Sequence, residues 1–191
     1  MVSRILITGP PRCGKSTLIS ELIKFYSKNN FKIKGFLTPE VREKSRRIGF
    51  DIEEISSDIK FPLARVGDYK TKYKLGKYSI FIDEFEKVIS NLENFNIEQV
   101  NVMIIDEIGK MELFSEKFRN FIINIFQREF NIIATMGKNI KYPFKKALFN
   151  IPNLYKFNLS FQNQQEVYHQ IISLIKLNFI NSEIELKKFK H

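Results

Sequence analysis

The sequence predicts an α/β fold in three layers, a mostly parallel central sheet with helices on both faces. Three observations carry it. Short apolar runs alternate along the chain with amphipathic helical stretches, the pattern of parallel strands joined by crossover helices. The first such run is followed at once by Gly9-Pro10-Pro11-Arg12-Cys13-Gly14-Lys15-Ser16, a complete G-x-x-x-x-G-K-[ST] phosphate-binding loop. A later run, Val102 to Ile105, ends in the acidic pair Asp106-Glu107. Ligands of parallel sheets bind at the carboxyl ends of the strands, which is where both motifs fall.

Taken in order, Ile5-Leu6-Ile7 reads as a buried strand, and Leu18, Ile19, Leu22, Ile23 and Tyr26 follow the loop at helical spacing. Phe31 to Thr38 reads as a second strand, stopped by Pro39. Ile48 to Ile55 largely alternates apolar and polar residues, as a half-exposed strand would. Tyr78 to Ile82 is a short strand, after which Asp83 is expected as the N-cap of a helix bearing Phe85, Val88, Ile89 and Leu92, with Glu86 completing a capping box. Val100 to Ile105 is the next strand, and Ser115 opens a helix whose inner face is Phe118, Phe121, Ile122, Ile125 and Phe126. Asn131 to Thr135 is a strand, Tyr142 to Phe149 a short helix and Leu154 to Leu159 the last strand. Asn163, with Glu166 three residues on, is expected to begin a final helix carrying Val167, Ile171, Leu174 and Ile175.

Composition narrows the classes. The 191 residues suit one domain, with 181–191 expected as a flexible tail. No apolar run is long enough to span a bilayer as a helix, and a core strand starts too early for a secretory leader. The single cysteine, Cys13, rules out a disulfide framework, so a cytoplasmic setting and no membrane partner are expected. Net charge is +10, from 31 Lys and Arg against 21 Asp and Glu, which favours anionic partners in general. Nucleic acid is one such partner but is not favoured: the chain leans on Lys throughout, and the aromatic-basic stretch Tyr69 to Lys74 reads as a solvated loop between two strands. With only His169 and His191, neither a zinc site nor a Ser-His-Asp triad is supported.

The candidate site follows from these motifs. In a phosphate loop, successive backbone amides converge on an anion at a helix N-terminus. Gly9 and Gly14 permit the tight path, Pro10, Pro11, Arg12 and Cys13 fill it, Lys15 reaches the outer phosphates, Ser16 offers a hydroxyl to magnesium and Thr17 touches an inner phosphate. Asp106 is placed to hold the hydration shell of that magnesium, and Glu107 to orient and partly deprotonate an attacking water. The expected ligands are nucleoside triphosphates (ATP, GTP, CTP and UTP) with Mg2+ as cofactor.

Ile105-Asp106-Glu107-Ile108-Gly109-Lys110-Met111-Glu112-Leu113 resembles the hallmark stretch of the THEP-type nucleoside-triphosphatases, known in animals as cancer-related nucleoside-triphosphatases. Gly35 to Arg42, Arg47 to Phe50 and Gly76 to Tyr78 are similar to further signatures of that family, in matching order from Arg4 to Phe118. The resemblance implies a RecA-like P-loop fold, Mg-dependent hydrolysis of nucleoside triphosphates to diphosphate and phosphate, and little base preference. It also implies importance for Glu40, Arg42, Arg47, Gly109, Lys110 and Glu112. Two segments depart from the pattern: Glu43-Lys44-Ser45 replaces an often Gly-containing turn, and Met136-Gly137-Lys138 differs from the usual letters. Arg42 and Arg47 read equally well as transition-state cations or as partners of acids such as Glu40 and Glu43, so slow turnover is expected; a monomer is expected as well. The alternatives are a small nucleotide or nucleoside kinase, with Arg42 to Arg47 gripping an acceptor, and a nucleic-acid-stimulated ATPase.

Overall fold

The computed structural model describes residues 2–55, 57, 60–140 and 142–188; the last three residues of the expected tail lie outside it, as do the side chains of residues 142 and 179–188. The elements run β1 (Arg4–Gly9), α1 (Lys15–Lys28), β2 (Ile33–Leu37), β3 (Glu40–Glu43), β4 (Arg46–Glu54), β5 (Lys60–Val66), β6 (Tyr73–Leu75), β7 (Tyr78–Ile80) and α2 (Ile82–Glu93). They continue through β8 (Val102–Ile108), α3 (Glu116–Gln127), β9 (Ile132–Gly137), α4 (Tyr142–Phe149), β10 (Leu154–Asn158) and α5 (Gln164–Lys188).

All ten strands join one sheet. Along it the order is β10-β1-β9-β8-β2-β4-β5-β7-β6, with β3 paired to β4. From β10 to β2 the pairings are parallel, and beyond β2 they are antiparallel. The parallel half is therefore the expected α/β core, extended by an antiparallel meander that occupies the chain between β2 and α2.

The layering follows from strand pleat, which sends alternate side chains to opposite faces. In β1, Ile5 and Ile7 join one buried cluster with Leu18, Ile19 and Leu22 of α1 and Val167, Ile171 and Ile175 of α5. Leu6 points the other way, into a cluster with Phe85 and Leu92 of α2, Phe118 and Phe126 of α3 and Leu148 of α4. In β8, Val102 and Ile104 likewise oppose Met103 and Ile105. Strands buried on both faces read as continuous apolar runs, which is why these were legible. No helix among the described residues is long and apolar enough to cross a membrane.

Several expectations change. β3 and β5 are added strands, and the stretch from Tyr69 to Lys74 is not wholly loop, since Tyr73 enters edge strand β6 and stacks obliquely on Phe114, with ring centroids 5.3 Å apart. Phe81, not Asp83, precedes the first turn of α2, and Glu86 accepts a 2.6 Å hydrogen bond from Ser115 Oγ instead of closing a capping box. Ser115 does cap α3, accepting from Phe118 N–H at 3.0 Å. As expected, the last helix begins at Asn163, whose carbonyl accepts from Val167 N–H at 2.9 Å while its carboxamide oxygen accepts from Ser160 N–H (2.7 Å). Residues 181–188, expected as tail, continue α5.

Candidate active site

Strand register brings the two motifs to the same end of the sheet. Gly9, the last residue of β1, pairs with Gly137 of β9, while Met136 pairs with Ile108 of β8. Asp106 also lies level with Leu37 at the end of β2. The phosphate loop and the acidic pair thus flank β9 at its carboxyl end, as the motifs required.

The loop is built around conformations that ordinary residues avoid. Gly14 takes φ 95° and precedes the first residue of α1, and Arg12 takes φ 65°. A side chain on Gly14 would meet the Gln164 carboxamide at 2.5 Å, and one on Gly9 would meet both Cys13 Sγ and the Leu159 carbonyl at 2.6 Å. Gly9 is therefore required by its close approach to the Leu159 backbone, and Gly14 by its positive φ. The Gln164 Nε2 donates to the Cys13 carbonyl at 2.9 Å, bracing the loop from α5. Cys13 is buried with its sulfur packed inward, so its place in the loop is that of a small filler. Pro11, Arg12, Ser16 and Thr17 are exposed along the loop, with Pro10 half-buried.

Lys15 is buried, and its Nζ donates to the carbonyls of Gly9 (3.3 Å) and Pro10 (3.1 Å) while lying 3.7 Å from Glu107 Oε2. This ammonium is held over the loop, facing the carboxylate expected to direct water. Burial raises the Glu107 pKa above the ordinary carboxylate range; the charge on Lys15 opposes that rise and the charge on Asp106 reinforces it. A raised but accessible carboxylate is the type of group that can take a proton from water near neutral pH.

Two threonines that sequence reasoning missed hold the acidic pair. Thr135 Oγ1, fully buried on β9, donates to Asp106 Oδ1. Thr38 Oγ1, just past β2, donates to the Asp106 carbonyl at 2.9 Å and accepts from Glu107 N–H at 3.2 Å. The neighbouring strands on both sides of β8 therefore fix Asp106 and Glu107. Thr135 lies in no motif and Thr38, though inside the signature-like stretch Gly35 to Arg42, carries no local sign of its role; only the strand order β9-β8-β2 makes them neighbours of the acids.

Glu112 lies in a short 3-10 turn after β8 and is 4% exposed. Burial, with the nearby charges of Glu107 and Asp106, pushes its pKa up to about 8, so it is a neutral acid at pH 7. Gly109 leaves room for this second carboxyl: a Cβ there would stand 2.4 Å from Glu112 Oε2 and 3.2 Å from Glu107 Oε1. Lys110 is exposed.

The arginines resolve in favour of the acid. Arg42 reaches Glu40 Oε2 through Nη2 (2.6 Å) and Nε (3.0 Å), and Arg47 reaches Glu40 Oε1 at 2.5 Å. Arg47 also donates to the Tyr78 hydroxyl at 3.0 Å and lies over the Phe50 ring. Burial raises the Glu40 pKa, but the two guanidinium groups outweigh it and hold the carboxyl below its ordinary value. The hairpin between them turns at Lys44 (φ 43°) and Ser45 (φ 67°), so the two-residue turn forms without glycine.

The fold and this site define a P-loop nucleotide-binding protein. The NTPase family profile matches residues 4–172. The chain is 36% identical over 176 residues to nucleoside-triphosphatase THEP1 of Thermotoga maritima, covering 92% of this chain and 97% of that one. It is 32% identical to the cancer-related nucleoside-triphosphatase homolog of Mus musculus, across 92% and 98% of the two chains. The crystal structure of THEP1 from Aquifex aeolicus superposes with TM-score 0.76 at 30% identity, over 90% and 98%. This chain belongs to the THEP1-type nucleoside-triphosphatase family, as the motifs from Arg4 to Phe118 implied.

Proposed function

We propose that the chain is a magnesium-dependent, cytosolic and monomeric nucleoside-triphosphatase that releases the terminal phosphate of ATP, GTP, CTP and UTP with slow turnover. The observation that carries this reading is the meeting of Lys15 with Glu107 at 3.7 Å, beside an Asp106 held by Thr135. Lys15 and the loop amides bind and orient the phosphates, and Glu107 aligns water against the outermost one and takes its proton.

The residues present suit magnesium. Among the described residues no group of three or more His, Cys, Asp or Glu could hold a metal by itself. That suits an ion that keeps most of its waters and takes one or two protein groups plus substrate oxygens. Ser16 and Asp106 would hold it, and when bound it would neutralise charge building on the phosphate oxygens. Thr135 and Thr38 hold Asp106 and Glu107 in orientation through their hydroxyls.

Water is favoured over another acceptor because Arg42 and Arg47, the groups that would grip an acceptor phosphate, are both engaged by Glu40. The same engagement supports slow turnover, since a free arginine at the transition state is worth about 10³ to 10⁵ in rate. Phosphate release from the four triphosphates, with and without magnesium and with an acceptor panel, tests the reading. Magnesium-dependent release from all four without acceptor is expected. Release only in the presence of an acceptor, with label transferred to it, would replace hydrolysis by kinase activity.

A further inference from the structure

We infer that Phe161 is the stacking platform for the nucleobase, and that this chain engages the base by its ring face without reading its edge. The inference rests on the triphosphatase reading above and adds a subsite to it.

The strand order fixes which way a bound nucleotide must run. Asp106 and Glu107 lie on β8, separated from β1 by β9 alone, so the reacting end of the phosphate chain is about 10 Å to that side of β1 at ordinary strand spacing. The nucleoside therefore leaves the loop on the opposite side. There the neighbour of β1 is β10, and the segment that follows it, 159–163, leads into α5.

That segment is fastened to the phosphate loop. Leu159 N–H donates to the Thr8 carbonyl at 2.7 Å, and the Leu159 carbonyl faces Gly9 closely enough to exclude a side chain. Gln164 grips the Cys13 carbonyl. Within the segment, Asn163 Oδ1 accepts from Ser160 N–H (2.7 Å), Asn163 Nδ2 donates to the Asn158 carbonyl (3.0 Å) and Gln162 N–H donates to Ser160 Oγ (3.3 Å).

On this braced turn Phe161 is 68% exposed, more than any other large apolar side chain among those described. A single exposed phenyl is ordinary on a protein surface. This one is held by a rigid turn, at the end of the strand beside the phosphate loop, on the nucleoside side. Stacking on an aromatic ring is available to every base through its π-face and discriminates weakly among them. That is the chemistry a base-tolerant triphosphatase needs.

The test compares nucleotides with inorganic tripolyphosphate, which has no base. In Phe161→Ala the KM for the four triphosphates should rise between about 5-fold and 150-fold, the range of one base–aromatic stack, with kcat much less affected. Inhibition by tripolyphosphate should be unchanged, and Phe161→Tyr should restore the wild-type KM. The chain contains no tryptophan, so Phe161→Trp supplies a lone reporter. Its fluorescence should respond to ATP and GTP and stay silent to tripolyphosphate, while a Leu177→Trp control on α5 stays silent to both. An unchanged KM in Phe161→Ala overturns the platform alone. So does a Phe161→Trp signal that ignores ATP or answers tripolyphosphate equally. A wild-type protein that binds neither ligand would overturn the triphosphatase reading and the platform with it.

Discussion

Thr135→Val removes one hydroxyl and leaves a side chain of the same shape. In the native structure that hydroxyl donates to Asp106 Oδ1, with Thr135 fully buried and Asp106 5% exposed. Water cannot readily replace it. A hydrogen bond to a charged group contributes about 1.5–3 kcal/mol, so the substitution should lower stability by that amount. For a domain of this size that is a fall of roughly 3–12 °C in thermal midpoint. The functional effect is expected on magnesium. Removing an outer partner of a metal-holding carboxylate typically costs about 10–100-fold in metal affinity. Titrating magnesium at fixed ATP, with phosphate release as the readout, should therefore show half-activation shifted up by that factor, and most of the rate regained at saturation. Thr135→Ser keeps the hydroxyl and should behave as wild type. A Val variant with unchanged magnesium dependence, or a Ser variant as impaired as Val, would refute the argument that Thr135 positions Asp106.

Gly109→Ala forces a methyl group between Glu112 and Glu107, 2.4 Å from one carboxyl oxygen and 3.2 Å from the other. The methyl group must push the Glu112 carboxyl aside and shift Glu107 by a few tenths of an ångström, so kcat should fall by less than the roughly 100-fold of a 1 Å misplacement while nucleotide binding persists, as equilibrium titration would show. Glu112 binds its proton up to about pH 8 when folded but releases it near 4.5 when unfolded. The unfolded state then holds fewer protons between those values, so stability should fall as pH rises across that window and Glu112→Gln should flatten the decline in urea midpoints. Arg47→Ala should reduce kcat less than about tenfold, because the guanidinium serves Glu40 and Tyr78; a loss of 10³ or more would make it a transition-state group.

How much of this was legible in the chain depended on whether a residue's role is local. The phosphate loop is contiguous, so Gly9 to Thr17 carried their placement in their spacing. Core strands such as Ile5 to Ile7 and Val102 to Ile105 were legible because burial on both faces makes them uniformly apolar. β3 was not, since Glu40-Val41-Arg42-Glu43 has no buried residue and is paired to β4 alone. β5 was hidden by Pro62, a residue normally excluded from strand interiors, which here pairs with Asp51 where the register of β4 and β5 shifts. Thr38, Thr135, Gln164 and Phe161 depend on which strands are neighbours. The crossover order β10-β1-β9-β8-β2 sets that, and no single stretch of sequence encodes it.

The central claim is that Glu107 directs water onto a triphosphate held by Lys15 and the loop. Single-turnover phosphate release by Glu107→Gln with magnesium and ATP tests it most directly, alongside nucleotide binding by the same variant. The account predicts binding close to wild type with release reduced by about 10²-fold or more, the usual contribution of a positioned general base. Release at the wild-type rate would contradict it.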